Sequence, residues 1–208
     1  MLLKDNDVVL FQGDSITDCG RKREAYFDLG AGYPAMIASL FAAMHPEMEV
    51  TFLNRGISGN RAKDLAERWF EDCIELKPTV VSILIGINDT WRRYDSNDPT
   101  SAESYEKSYR RILTLTRENT DARIILLEPF VLQVPGDRKA WREDLDPKIQ
   151  VVRSLAREFG TLFIPLDGIF AEYSTHKPPE FWAADGVHPT TAGHAVIARA
   201  WMQSAGAI

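Results

Sequence analysis

VVLFQGDSITDCGR, residues 8–21, runs from an apolar, β-branched segment straight into a cluster of polar side chains. Val8 to Phe11 read as a strand, and Gly13 lets the chain turn. Asp14, Ser15, Thr17 and Asp18 then appear within five residues. Three readings fit such a junction. Ser and Asp are common N-cap residues, so the polar cluster can simply start a helix. A loop of this kind can also cradle an anion. The third reading makes Ser15 a nucleophile carried at the end of a strand. The stretch alone does not choose among them.

Outward from it, four more short apolar runs repeat the same character: VTFLN (50–54), TVVSILIG (79–86), RIILLEPF (123–130) and TLFIPL (161–166). None alternates strictly between apolar and polar, as expected for strands covered on both faces. Between them the apolar spacing predicts helices over 33–44, 62–76, 101–117, 146–159 and 190–202. SAES at 101–104 marks a capped helix start. The order β-α-β-α-β-α-β-α-β-α predicts an α/β fold: a three-layer α/β/α sandwich around a five-stranded parallel sheet, flavodoxin-like in outline. Residues 1–208 read as a single domain. Residues 17–32, 90–100, 131–144 and 167–187 read as irregular.

The whole chain excludes several classes of function. Its 208 residues suffice to remove roughly 70% of the unfolded surface from water, so no disulfide or metal staple is required. A net charge of −6 argues against nucleic acid or an anionic membrane as partner. Cys19 and Cys73 are too few for a disulfide framework or a thiolate metal site, and read as free thiols in a reducing compartment. MLLKDNDVVLF lacks the basic start and long apolar stretch of a signal peptide. No apolar run approaches the roughly 20 residues that span a bilayer. The expected location is cytoplasmic.

In open parallel sheets, ligands bind beyond the carboxyl ends of the strands. There the chain presents Ser15 after the first strand and NRGISGN (54–60) after the second. GIND (86–89) follows the third, and a long loop after the fifth ends in DGVH (185–188). A serine esterase needs a base for the hydroxyl proton, a partner for that base, and donors for the oxyanion. Across its short turn Asp185 can reach one imidazole nitrogen of His188, leaving the other to face Ser15. Pro189 can then open the last helix in its first turn. Each signal has a bland counterpart. An isolated D-x-x-H is more often a turn with a polar histidine, Gly59 is a loop residue with positive φ, and Asn88 can be a cap. Ser58 is a rival nucleophile in a loop at the same edge. His45, His176 and His194 lack an aspartate three residues before them. No G-x-S-x-G elbow is present.

In their order along the chain, GDS (13–15), the glycine of NRGISGN, GIND and DGVH resemble the SGNH hydrolase superfamily, the GDSL esterases and lipases, over essentially the whole chain. The resemblance implies that Ser15 is the nucleophile, His188 the general base and Asp185 its orienting partner. It implies an oxyanion hole formed by the backbone N–H groups of Ser15 and Gly59 and the side-chain amide of Asn88. No metal or organic cofactor enters such a mechanism. The extended forms GDSITDCGR, IGINDTWR and DGVHPTTAGH are similar to bacterial esterases that deacetylate xylo-oligosaccharides. That similarity implies an acetylated sugar as substrate and a homo-oligomer.

Specificity falls to the loops. Trp91, Tyr94 and Trp182 are candidate substrate contacts, with Phe130 and Trp141 nearby, since aromatic faces suit sugar rings. Each can equally pack beneath a loop. WRRYD (91–95) and PGDRKAW (135–141) read as short, aromatic, charged walls suited to an acetyl group. Other readings are a lipolytic esterase, thioesterase or lysophospholipase, and a flavodoxin-like module holding phosphate or FMN in SITDCG.

Overall fold

Strand β1 (Val8–Gly13) sits inside the sheet, and its alternating side chains separate two cores. A computed structural model describes residues 1–134 and 136–208, leaving Pro135 of the PGDRKAW stretch outside the described residues. After β1 come α1 (Ser15–Asp18), α2 (Tyr33–Met44), β2 (Thr51–Asn54) and α3 (Ala62–Asp72). A 3₁₀ turn at Ile74–Leu76 leads to β3 (Val80–Leu84), α4 (Ile87–Asp95) and α5 (Ala102–Asn119). The chain continues through β4 (Arg123–Leu127), α6 (Arg142–Phe159), β5 (Leu162–Ile164), α7 (Leu166–Tyr173), α8 (Pro179–Trp182) and α9 (Thr191–Ser204).

The strands pair in the order β2-β1-β3-β4-β5, all parallel. Helices cover both faces of the sheet, as its continuous apolar strands require. Val9 and Phe11 of β1 join Tyr33, Ile37, Phe41 and Trp201 in one buried cluster. Leu10 joins Leu65, Trp69, Tyr109 and Ile112 in the other. Ser82 of β3 is polar yet fully buried, because Trp201 Nε1 donates a hydrogen bond to its Oγ at 3.0 Å. The exit of β1 lies beside that of β3, where the sheet order reverses direction. An α/β sheet offers a crevice at such a point.

Several expectations about the connections need correction. Only 96–100 of the stretch 90–100 is irregular: Thr90 and WRRYD lie in α4, whose first turn buries Ile87, Asn88, Asp89 and Thr90. The charges that suggested a loop pair along the helix instead, Arg92 with Asp95. Helix α6 begins at Arg142, one turn earlier than the expected 146, with Pro147 inside it. The added turn buries Leu145 and is tied to α7 by the Arg142–Asp167 ion pair. Residues 167–187 contain α7 and α8, and the stretch 17–32 starts inside α1. Thr190 caps α9 by accepting from Gly193 N–H at 3.2 Å, so Pro189 precedes the cap rather than opening the first turn. Pro189 pairs with Ala183 in an antiparallel bridge that closes the DGVH loop. The predicted Ser101 cap of α5 is present.

Candidate active site

At the exit of β1, Asp14 caps α1, its Oδ1 accepting the Ile16 N–H at 3.0 Å. That cap fixes Ser15 as the first residue of α1, with its hydroxyl at the sheet edge. Ser15 Oγ lies 2.9 Å from His188 Nε2, across 173 residues of sequence. His188 Nδ1 lies 2.7 Å from Asp185 Oδ2. The carboxylate accepts the Nδ1 proton, so the Nε2 lone pair faces the serine hydroxyl. Asp185 Oδ1 also accepts the backbone N–H groups of Val187 and His188, at 2.9 and 2.7 Å. One carboxylate therefore shapes the turn and orients the ring.

The electrostatics follow from these contacts. Burial alone would raise the Asp185 carboxyl, but the His188 ring N–H and the two backbone N–H groups hold it well below the usual range. The hydrogen bond to Asp185 raises His188 above the ordinary imidazole value; partial burial and the Arg138 cation oppose that rise. Burial pushes Asp14 up to about 7, against the pull of the Ile16 N–H and His188. Its Oδ2 has no hydrogen-bond partner among the described residues.

The other strand exits meet this one. Asn54, at the end of β2, donates from Nδ2 to Thr17 O (2.7 Å) and Leu29 O (2.9 Å). Its Oδ1 accepts the Gly56 N–H at 2.8 Å. This buried side chain binds the nucleophile loop to the glycine loop. Gly59, at φ +86°, adopts a backbone conformation that side chains disfavour. Asn88, buried at the start of α4, donates one Nδ2 hydrogen to Asn60 O at 3.1 Å and, among the described residues, keeps the other uncommitted. The next residue, Asp89, accepts the Ala62 N–H at 3.0 Å, so α3 and α4 are joined beside the oxyanion candidates. The backbone N–H groups of Ser15 and Gly59 donate no hydrogen bond within the described residues. The arrangement offers a hydroxyl, a base that can take its proton, and three uncommitted donors at one edge.

The rivals lie elsewhere. Ser58 donates its hydroxyl to Asp18 Oδ2 at 2.9 Å and makes no bond to His188. His194 sits in α9, accepting the Tyr33 N–H on Nδ1 and lying 3.4 Å from Cys19 Sγ through Nε2. His45 Nε2 is 2.9 Å from Ala207 O at the foot of α2. Of the aromatic candidates, the Trp91 ring comes to 5.6 Å from the His188 ring. Tyr94 instead stacks on Trp141 and donates to Ala140 O. Trp182 is only 9% exposed, packs against Tyr173 and Phe181, and donates its Nε1 hydrogen to Tyr173 O. Its expected place in the substrate wall is corrected to a core role beneath the α8–α9 connection. Phe130 and Trp141 are buried too. Sequence reasoning included Asn54 in NRGISGN, Asp89 in GIND and Arg138 in the PGDRKAW wall, but gave none of them a role. Asn54 closes β2 and Asp89 lies in the first turn of α4 just beyond β3, positions that could have flagged both.

A family model described as the GDSL-like lipase/acylhydrolase family matches residues 11–196. The chain is 38% identical to an acetylxylan esterase of Geobacillus stearothermophilus, covering 99% of this chain and 97% of that one. The solved structure of the esterase Axe2 from the same organism superposes with a TM-score of 0.92 at 38% identity and the same coverage. A second Axe2 structure is described as a catalytic mutant with its serine 15 changed to alanine; it covers the same shares of the two chains at 37% identity, with a TM-score of 0.92. A putative GDSL-like lipase from Parabacteroides merdae superposes with a TM-score of 0.93 at 37% identity, covering 98% of this chain and 97% of that one. This chain belongs to the GDSL-like lipase/acylhydrolase family and is a carboxylic-ester hydrolase.

Proposed function

We propose that the protein is a serine esterase that removes acetyl groups from xylo-oligosaccharides through an acyl-serine intermediate. The observation that carries the mechanism is the unbroken relay from Ser15 Oγ to His188 Nε2, and from His188 Nδ1 to Asp185 Oδ2. Support for the acetyl and sugar parts comes from the 38% identity with the acetylxylan esterase and from Trp91 beside His188.

Ser15 Oγ attacks the ester carbonyl while His188 Nε2 takes its proton. Asp185 stays ionised and stabilises the imidazolium that forms. The N–H groups of Ser15 and Gly59 and the free Asn88 amide hydrogen receive the oxyanion. Collapse of the tetrahedral intermediate breaks the ester C–O bond, and His188 returns the proton to the departing sugar hydroxyl. Water, deprotonated by the same histidine, then attacks the acyl carbonyl; collapse breaks the acyl bond to Ser15 Oγ, releases acetate, and His188 returns the proton to Ser15 Oγ. Because His188 must be neutral and Asp185 raises it, the acid limb of kcat/KM should lie above the free imidazole value of 6.5. No step uses a metal, so EDTA should leave the rate unchanged.

The test is kcat/KM for 4-nitrophenyl esters from acetate to palmitate, run beside peracetylated xylose. A long acyl groove would add roughly 0.8 kcal/mol of binding per buried methylene. The reading expects a maximum at acetate, a steep fall by butyrate and deacetylation of the xyloside. A maximum at eight carbons or longer would leave a lipolytic esterase in its place. The same reading carries a homo-oligomer, for which Leu40 and Met44, exposed on α2, are the candidate contact. A monomeric mass by light scattering would remove that part.

A further inference from the structure

The acid–base turn has a partner outside the four sequence blocks. Arg138 lies just before α6, and its Nε donates to the main-chain carbonyl of Asp185 at 2.8 Å. Its guanidinium carbon stands 4.0 Å from the Trp141 ring centroid and 5.2 Å from that of Trp91. Trp91 in turn lies beside His188. Asp137 completes the circuit, accepting from Arg138 Nη1 at 2.7 Å and from Trp141 Nε1 at 3.0 Å. The segment carrying Arg138 is pressed onto the turn itself. Leu132 N–H donates to Gly186 O at 2.8 Å, and a Cβ on Gly186 would meet Leu132 O at 2.6 Å and Arg138 Cγ at 3.2 Å.

We propose that Arg138 is a positioning residue for the acid–base pair: it anchors the Asp185 main chain and braces Trp91 and Trp141 as the wall beside His188. The planar guanidinium suits both tasks, since it can stack on indole faces while its Nε–H points in plane at a carbonyl. A lysine keeps the charge but offers neither the plane nor the fixed donor. The cation also acts on the base through space. Three titratable groups bear on His188: Asp185 in its own turn, Asp14 at the nucleophile loop, and Arg138; His188 in turn lowers His194 on α9. The two carboxylates favour the imidazolium, and Arg138 disfavours it. Arg138 thus limits how basic Asp185 and Asp14 can make His188, which keeps the neutral, reactive form populated at lower pH.

This inference rests on His188 acting as base for Ser15, and its test carries a control for that reading. Steady-state kinetics on 4-nitrophenyl acetate would be measured from pH 5 to 9 for the wild type, Arg138→Gln, Arg138→Lys and Ser15→Ala, with melting temperatures recorded alongside. Arg138→Gln should lower kcat about tenfold or more through misplacement of the base, with KM within about twofold. Its acid limb should move to higher pH because a positive neighbour of the imidazole is gone. Arg138→Lys should lose kcat as well while its acid limb stays near that of the wild type. A merely structural role would lower the melting temperature and leave the limb in place for both. Wild-type kcat and an unmoved acid limb in Arg138→Gln would overturn the proposal, and so would wild-type kcat in Arg138→Lys should the glutamine variant fail to fold. Activity retained in Ser15→Ala would instead overturn the underlying mechanism.

Discussion

The two halves of the candidate site are built differently. The nucleophile half stands on adjacent strand exits: Ser15 after β1, Gly59 in the loop after β2, Asn88 after β3. Buried polar side chains cross-link those exits: Asn54 makes three hydrogen bonds, Asn88 makes one into the glycine loop, and Asp89 makes one to the first residue of α3. The acid–base half hangs from a long connection after β5, the last strand at the sheet edge. His188 and Asp185 keep 46% and 40% of their side-chain surface in solvent. What fixes them is the local Asp185 turn and Ala183–Pro189 bridge, with one long-range contact from Arg138. In the proposed mechanism, charge stabilisation thus rests on the rigid sheet, where donors must wait preorganised for the oxyanion. Proton transfer is assigned to a turn whose own carboxylate sets its geometry.

That difference can be broken from either side. The largest loss should come from Ser15→Ala, which removes the attacking atom and should abolish ester turnover with the melting temperature unchanged. Asn88→Ala should cost roughly 10²–10³ in kcat, the usual toll for one oxyanion donor. Pre-steady-state acylation rates would place that loss in the chemical step. Asn54→Ala touches no substrate yet removes three buried hydrogen bonds. At about 1 kcal/mol each it should destabilise by about 3 kcal/mol, lowering Tm by about 6–12 °C in calorimetry.

The next effect is on stability alone. His194 is buried and neutral, held down to about 4 chiefly by desolvation, with His188 adding to it. Its folded value is depressed below the unfolded 6.5, so the unfolded chain binds the extra proton first. Stability is therefore complete above pH 6.5 and falls as pH drops toward 4, by on the order of 3 kcal/mol. Urea unfolding at pH 7 and pH 4.5 should show that fall in the wild type and a shallower one in His194→Gln. The smallest effect should be that of Ser58→Ala, with kcat/KM within about threefold of the wild type. Ser58 bonds to Asp18 on the nucleophile side and never meets the base.

Much of this was legible before any coordinates. The five strands announce themselves because a sheet buried on both faces demands unbroken β-branched runs. The four polar blocks stand out only together: each alone fits a turn or a cap, but in this order they fall on one edge of one sheet. The connections were harder. WRRYD read as a loop because its charges outnumber its apolar residues, whereas in α4 Arg92 and Asp95 neutralise each other and Ile87 and Trp91 face inward or toward His188. Trp182 looked like a sugar platform, since nothing in the sequence places Tyr173 beneath it. Arg138 was legible only as one charge of the PGDRKAW wall, not as a partner of the DGVH turn. Its role arises from a bond spanning 47 residues, a separation that periodicity and spacing cannot see.

The central claim is that acetyl transfer passes through Ser15 with His188 as the shared base. It can be tested by mixing the protein with 4-nitrophenyl acetate below the acid limb, where protonated His188 slows deacylation, and quenching for peptide mass mapping. The account predicts one acetyl group, carried on the peptide that contains Ser15 and absent from Ser15→Ala. An acetyl group on Ser58, or turnover with no acyl-protein at any quench time, would contradict it.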